Sequence, residues 1–297
     1  MCENLITMFF TAAHSAYFLF CPMPSTPVTI SRSRLLKQYL RWLPAQLGLI
    51  NKGAFLLQIN DILPDDVFIV SYPKSGNTWL RYIIAYAIRG TEHPLSSDEL
   101  ENVVSDVYTS KDIIDSKIGN RFIKTHDALF RYYPKTIYIY RDYRDVLVSF
   151  YEYKLALKEY NGSFSDFIRS NEVSEPFGSW EGHVNNALLQ KKSNPDSILL
   201  LKYEDLLTDF ETNTIKLLSY SGVQQFDIEK LKTATGFTTL QKNENQQPGE
   251  FKKRSGKNFF REGTSQNWKN HFSDTDIDWL YSNRELCHTL TQLKYAL

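Results

Sequence analysis

The chain has 297 residues and no formal net charge, with 34 basic and 34 acidic side chains. That length suits one large α/β domain, and the charge balance supplies no global field for nucleic acid, so any anion must be held by local basic clusters. Cys2, Cys21 and Cys287 show neither metal-ligand nor disulfide spacing, which points to reduced thiols and a cytoplasmic protein.

In chain order, residues 5–23 are mostly apolar and just long enough to cross a bilayer. His14 and several hydroxyls interrupt them, and no Lys or Arg precedes them. A loosely packed or interfacial leader, with weak membrane association through 5–23, or a start codon set too early, is expected over a membrane anchor, which is the alternative. Arg32, Arg34 and Lys37 follow, so a spanning segment would leave the bulk of the chain cytoplasmic. Leu35, Leu36, Tyr39, Leu40 and Leu43 then recur at helical spacing. The expected organisation is a leader over 1–50 and a single domain over 51–297.

The stretch from Asp66 to Arg89 organises the rest. Val67, Phe68, Ile69 and Val70 read as a buried strand, and the pairs Trp79/Leu80, Ile83/Ile84 and Ala87/Ile88 make one face of a helix. Between them lies Pro73-Lys74-Ser75-Gly76-Asn77-Thr78. A strand, a small-residue loop and a helix N-terminus together form an anion site, because free N–H groups and the helix dipole face the loop. Gly76 permits close backbone approach, Lys74 adds charge, and Ser75 and Thr78 add hydroxyls. A Walker A loop needs Lys directly after its last Gly; Asn77 stands there instead.

Residues 91–118 read as short helices without chemistry. Arg121 to His126 reads as a strand that places Lys124 and His126 on one face, at the carboxyl end where open α/β sheets bind ligands. Residues 135–158 repeat the strand–turn–helix plan, with Arg141 leaving the strand and Ser149 one turn into the helix. Arg141 suits either a phosphate clamp or a surface pair with Asp142 or Asp145. Residues 163–191 read as helical, with His183 structural. Residues 197–203 form the next strand, with Asp205 expected to cap a helix reaching about Tyr220. Residues 241–258 read as a mobile loop carrying Lys252-Lys253-Arg254, and the chain ends in helices.

Four segments in this order resemble the sulfotransferases that use 3′-phosphoadenosine 5′-phosphosulfate (PAPS). YPKSGNTW is similar to their 5′-phosphosulfate loop, and KTH at 124–126 to the segment whose His is the general base. The spacing Tyr138, Arg141, Asp145, Ser149 resembles Y-x-x-R-x-x-x-D-x-x-x-S, and 260–272 resembles R-K-G-x-x-G-D-W-K-N-H-F. Departures are Asp127-Ala128 for Leu-Pro, Glu262 for Lys, which weakens the positive field, and Gln266 for Gly, which is expected to change the turn. No K-T-V dimer motif is seen, so no particular dimer is expected.

The resemblance implies a P-loop-like three-layer α/β sandwich with a mainly parallel central sheet flanked by helices, as the alternating strands and helices independently suggest. It implies His126, Lys74 and Lys124 as catalytic residues. It implies Lys74, Ser75, Gly76, Asn77, Thr78 and Trp79 on the 5′ side of the donor. Arg141, Ser149, Arg261 and Gly263 would hold the 3′-phosphate, and Tyr203, Thr235 and Phe237 would hold the adenine. The co-substrate is PAPS, the product 3′-phosphoadenosine 5′-phosphate (PAP), and no metal is implied. The acceptor is a small molecule, lipid or glycan bearing a hydroxyl or amine, with no nucleic acid partner. A nucleotide or sugar kinase and a non-catalytic nucleotide-binding protein remain the rival classes.

Overall fold

Alternation along one short strand, β1 (Val67–Val70), builds two cores at once: Phe68 and Val70 enter one, Val67 and Ile69 the other. A computed structural model describes residues 56–297 apart from 92, 118, 175 and 262. The leader over 1–50, its helical spacing, Cys2, Cys21 and Glu262 therefore lie outside the described residues. The sheet continues with β2 (Val104–Asp106), β3 (Phe122–Thr125), β4 (Lys135–Tyr140) and β5 (Ile198–Lys202). All pairings are parallel, in the order β2-β3-β1-β4-β5. Helices cover both faces, giving the expected three layers.

The helix Asn77–Arg89 packs on β1 because Leu80, Ile83, Ile84 and Ala87 are buried on its sheet-facing side. Each such side chain contributes roughly 1.5–3 kcal/mol where it is fully removed from water, less for alanine. Gly90, in the left-handed region at φ 59, ends the helix by donating to Tyr86 O.

Four expectations change. The helical stretch 91–118 contains an edge strand, β2, too short to leave a periodicity. The helical stretch 163–191 is broken into Phe164–Ile168, a 3-10 turn over Asn171–Val173, and Trp180–Ser193. Asp205 caps nothing: a helix Tyr203–Thr208 follows β5 directly, and Asp209 caps the next, Phe210–Ser221, through Thr212 N–H at 3.1 Å. The expected loop over 241–258 is mainly helical, Phe237–Gln246 and Glu250–Ser255. Its apolar residues explain this: Leu240 is buried, and Phe251 stacks on Tyr153 at 5.0 Å between ring centroids.

Candidate active site

Every strand sends a residue from its carboxyl end to one cavity of about 490 Å³. β2 supplies Asp106, β3 supplies Lys124 and His126, β1 the 73–79 loop, β4 Arg141 and β5 Tyr203. This is where parallel sheets bind ligands, since helix N-termini and strand ends converge there.

The loop after β1 is held from within. Asn77 Nδ2 donates to Ile69 O at 3.2 Å and to Ser71 Oγ at 3.3 Å, and Trp79 N–H donates to Gly76 O at 3.0 Å. Gly76 has φ 102, and a Cβ there would meet Tyr203 Cδ2 at 2.7 Å, so no other residue fits without displacement. Lys74 also has positive φ, 66°, a strained conformation of the kind concentrated at functional sites. Its Nζ lies 4.2 Å from the centroids of both Tyr153 and Phe259. Burial, then the charges of Arg261, Arg141 and Lys124, bring its pKa down to about 7.

His126 stands just beyond β3 with all but one of its polar groups engaged. Its N–H donates to Tyr108 Oη at 2.9 Å, and its carbonyl accepts from His183 Nε2 at 2.9 Å. Nδ1 lies 2.8 Å from Ser71 O. A carbonyl can only accept, so Nδ1 carries the proton and Nε2 keeps its lone pair. Burial, reinforced by the Lys124 charge and opposed by the Ser71 bond, holds the His126 pKa well below its usual value, so the ring is neutral at physiological pH. His183 is the structural histidine expected: its Nδ1 accepts from Tyr138 Oη at 2.8 Å, and burial lowers its pKa to about 4. Asp127 accepts from Tyr108 Oη at 2.8 Å and from Thr125 Oγ1 at 3.0 Å, which fixes the loop where Leu-Pro would otherwise stand.

Lys124 is ion-paired with Asp106, its register partner on β2, at 3.0 Å. Across the cavity, Arg141 donates to Thr264 O at 3.0 Å, stacks on Tyr203 with Cζ 4.4 Å from the ring centroid, and lies 3.9 Å from Asp145. Asp145 accepts from Gln266 N–H at 2.7 Å and Trp268 N–H at 2.9 Å. The turn expected to change at Gln266 keeps a left-handed residue, φ 63, with Gln in it. Arg261 pairs with Glu152 at 3.2 Å. Gly263, φ 63, lies against Phe237, whose ring atoms a Cβ would meet at 2.3 Å.

The cavity thus gathers Lys74, Gly76, Asn77, Thr78, Trp79, Lys124, His126, Arg141, Ser149, Tyr203, Phe237, Arg261 and Gly263. Ser75 and Thr235 are fully buried behind it. Thr235 Oγ1 donates to Leu231 O, and its carbonyl accepts from Trp79 Nε1 at 2.9 Å. The sequence reading missed Asp106, Tyr108, Glu152, Tyr153 and Phe259. Arg141 Nε is buried without a protein partner on a side chain that lines the cavity with Lys74 and Arg261, and an unpaired guanidinium donor there fits a ligand rich in phosphate oxygens.

A parallel sheet whose carboxyl ends carry a lysine loop, a neutral histidine and an arginine, with a second arginine brought in by the segment after the helix Glu250–Ser255, defines an enzyme of group transfer from a phosphate-bearing donor. The chain belongs to the sulfotransferase family: the model described as the sulfotransferase domain matches residues 64–282. It is a sulfotransferase, moving a sulfuryl group to an acceptor. Flavonol 4′-sulfotransferase of Flaveria chlorifolia is 31% identical over 257 residues, covering 75% of this chain and 79% of that protein. Sulfotransferase 1E1 of Rattus norvegicus is 28% identical over 235 residues, 71% and 79% of the two chains. Among solved structures, retinol dehydratase in complex with androsterone and PAP superposes with a TM-score of 0.60 at 19% identity, covering 77% and 81% of the chains. Mouse sulfotransferase SULT7A1 complexed with PAP gives 0.57 at 23%, covering 80% and 87%. These two show the shared fold.

Proposed function

We propose that the chain transfers the sulfuryl group of PAPS to a hydroxyl, or an amine, of a small-molecule acceptor, with His126 as general base. The observation that carries this is the engagement of His126: its N–H, carbonyl and Nδ1 are all hydrogen-bonded, leaving Nε2 as the basic atom in a cavity it shares with Lys74 and Lys124. PAPS supplies an activated sulfur on a 5′-phosphate. Lys74, Gly76, Asn77 and Thr78 hold the 5′ side, with the backbone N–H groups of the helix start directed at the anion. Arg141, Ser149, Arg261 and Gly263 hold the 3′-phosphate, and Trp79, Tyr203 and Phe237 form the wall for the adenine. Ser75 and Thr235 act from behind, by shaping the loop and by anchoring Trp79.

His126 Nε2 takes the acceptor proton as the acceptor oxygen bonds to sulfur and the bond from sulfur to the bridging phosphate oxygen breaks. Lys74 neutralises the charge that stays on the leaving phosphate, and Lys124, with Asp106 fixing its position, faces the transferring oxygens. Positioning and electrostatics supply most of the rate, as in phosphoryl transfer. Phe177 and Tyr108, with ring centroids 5.3 and 6.1 Å from that of His126, give the acceptor side flat apolar surfaces, which suits a phenolic or lipid-like acceptor better than a glycan. A cytoplasmic location belongs to the same reading. Among the described residues no helix is long and apolar enough to cross a membrane, and residues 5–23 lie outside them.

The test is calorimetric titration with PAP of the wild type and Arg141→Ala, followed by turnover of PAPS with 2-naphthol. PAP binding lost in Arg141→Ala, and a roughly 10²–10⁴-fold lower kcat in His126→Ala at unchanged PAP affinity, are the expected results. Full turnover in His126→Ala would overturn the base assignment.

A further inference from the structure

Glu152 lies on the helix Tyr143–Ala156, three residues after Ser149, so the two side chains share a face. Its carboxylate reaches across to Arg261 at 3.2 Å, with Glu152 29% and Arg261 35% exposed. A small recess beside the main cavity is lined by Lys74, Ser149, Glu152, Lys257 and Arg261. Among the described residues of that lining, Glu152 is the one carboxylate, and Arg261 is its ion-pair partner.

We propose that Glu152 is an internal competitor of the donor's 3′-phosphate for Arg261, and so sets how strongly the site discriminates 3′-phosphorylated from 3′-unphosphorylated adenine nucleotides. The inference rests on the reading of Arg261 as a 3′-phosphate contact. Its physics is charge accounting. An incoming phosphate either takes Arg261 from Glu152 or shares that cation with a second anion. In both cases the carboxylate opposes binding, by a lost pair or by repulsion between like charges at close range. The nucleotide's 5′ end meets the 73–79 loop instead, so the opposition falls on the 3′ side. A partly exposed pair of this kind adds little to folding stability, so removing the charge leaves the fold in place.

The sign sets this apart from a structural role, because neutralising Glu152 improves binding. The experiment is calorimetric titration of wild type, Glu152→Gln and Arg261→Ala with PAP and with adenosine 5′-monophosphate, at low and high salt. Glu152→Gln is expected to tighten PAP by about 5–20-fold at low salt, to leave the monophosphate unchanged, and to lose part of the gain at high salt as screening grows. Glu152→Ala carries the same sign and guards against a defect peculiar to the amide. PAP affinity unchanged or weakened in both variants overturns the inference, as does equal tightening of the two nucleotides. If Arg261→Ala loses PAP selectivity while Glu152→Gln gains none, the competition alone is wrong. If Arg261→Ala keeps that selectivity, the assignment of Arg261 falls, and the inference with it.

Discussion

Lys74 holds its ammonium between Tyr153 and Phe259, and burial beside Arg261, Arg141 and Lys124 brings its pKa to about 7. A phosphate placed against it reverses the balance, because an adjacent anion favours the charged form. The sign follows: above pH 7 the free enzyme has Lys74 mostly neutral, so donor binding takes up a proton and weakens as pH rises. Calorimetry with PAP at pH 8 in two buffers of different ionisation enthalpy should report net proton uptake, absent in Lys74→Met. Gln266 is another residue in the left-handed region, at φ 63 with its N–H on Asp145. Left-handed backbone costs a side-chain-bearing residue about 1–2 kcal/mol, partly offset in glycine by its larger unfolded-state entropy. Gln266→Gly should therefore raise stability by up to about 1 kcal/mol in urea unfolding. At this scale the sequence was most informative: Lys74, Gly76, Arg141 and His126 are recognisable from their immediate neighbours. Asp106 and Tyr108 were not, because they meet Lys124 and His126 only through the pairing of β2 with β3.

One carboxylate connects a helix to the loop that faces it. Asp145, 1% exposed, ties the first turn of the helix Tyr143–Ala156 to the segment 264–268 through two N–H groups, while Arg141 donates to Thr264 O in the same segment. Burial raises the Asp145 pKa, against the Arg141 charge and the two N–H bonds, which lower it. Asp145→Asn offers one acceptor oxygen where two are used, leaving a buried N–H unpaired at a cost of about 1–3 kcal/mol. The expected outcome is a lower urea midpoint together with PAP binding weaker by about tenfold or more. Unchanged PAP affinity would mean that the loop keeps its shape without the carboxylate. The sequence placed Asp145 on its motif but could not show what it holds, since the partners lie more than a hundred residues away. For the same reason the helix Glu250–Ser255 read as a loop. Its order comes from Phe251 against Phe259 nearby and against Tyr153, the latter a contact with a distant segment that local composition does not encode.

At the scale of the molecule, the last residues of the chain connect, through Arg144 and Trp268, to the 264–268 segment beside the cavity. Arg144 donates to Ala296 O at 2.8 Å and to Tyr281 Oη at 2.7 Å, pairs with Asp142, and stacks on Trp268 with Cζ 4.1 Å from the ring centroid. Tyr295 is buried, donates to Glu204 at 2.8 Å, and has the Lys202 ammonium 3.9 Å from its ring centroid. The sequence predicted terminal helices but gave no reason to expect the last residues to matter, because single hydrogen bonds to a tail leave no periodic signal. Deleting residues 294–297 removes a buried aromatic ring and one hydrogen-bond partner each from Glu204 and Arg144, at a cost of about 3–5 kcal/mol. Because Arg144 also carries Trp268, whose N–H rests on Asp145, the deletion should weaken PAP binding as well as lower Tm. In the intact chain PAP at a hundredfold its Kd should stabilise by about 2.7 kcal/mol, a Tm rise of several degrees for a domain of this size. At the same PAP concentration the truncated chain should show a smaller rise. Equal rises in the two proteins would mean that the tail supports the fold and leaves the donor site untouched.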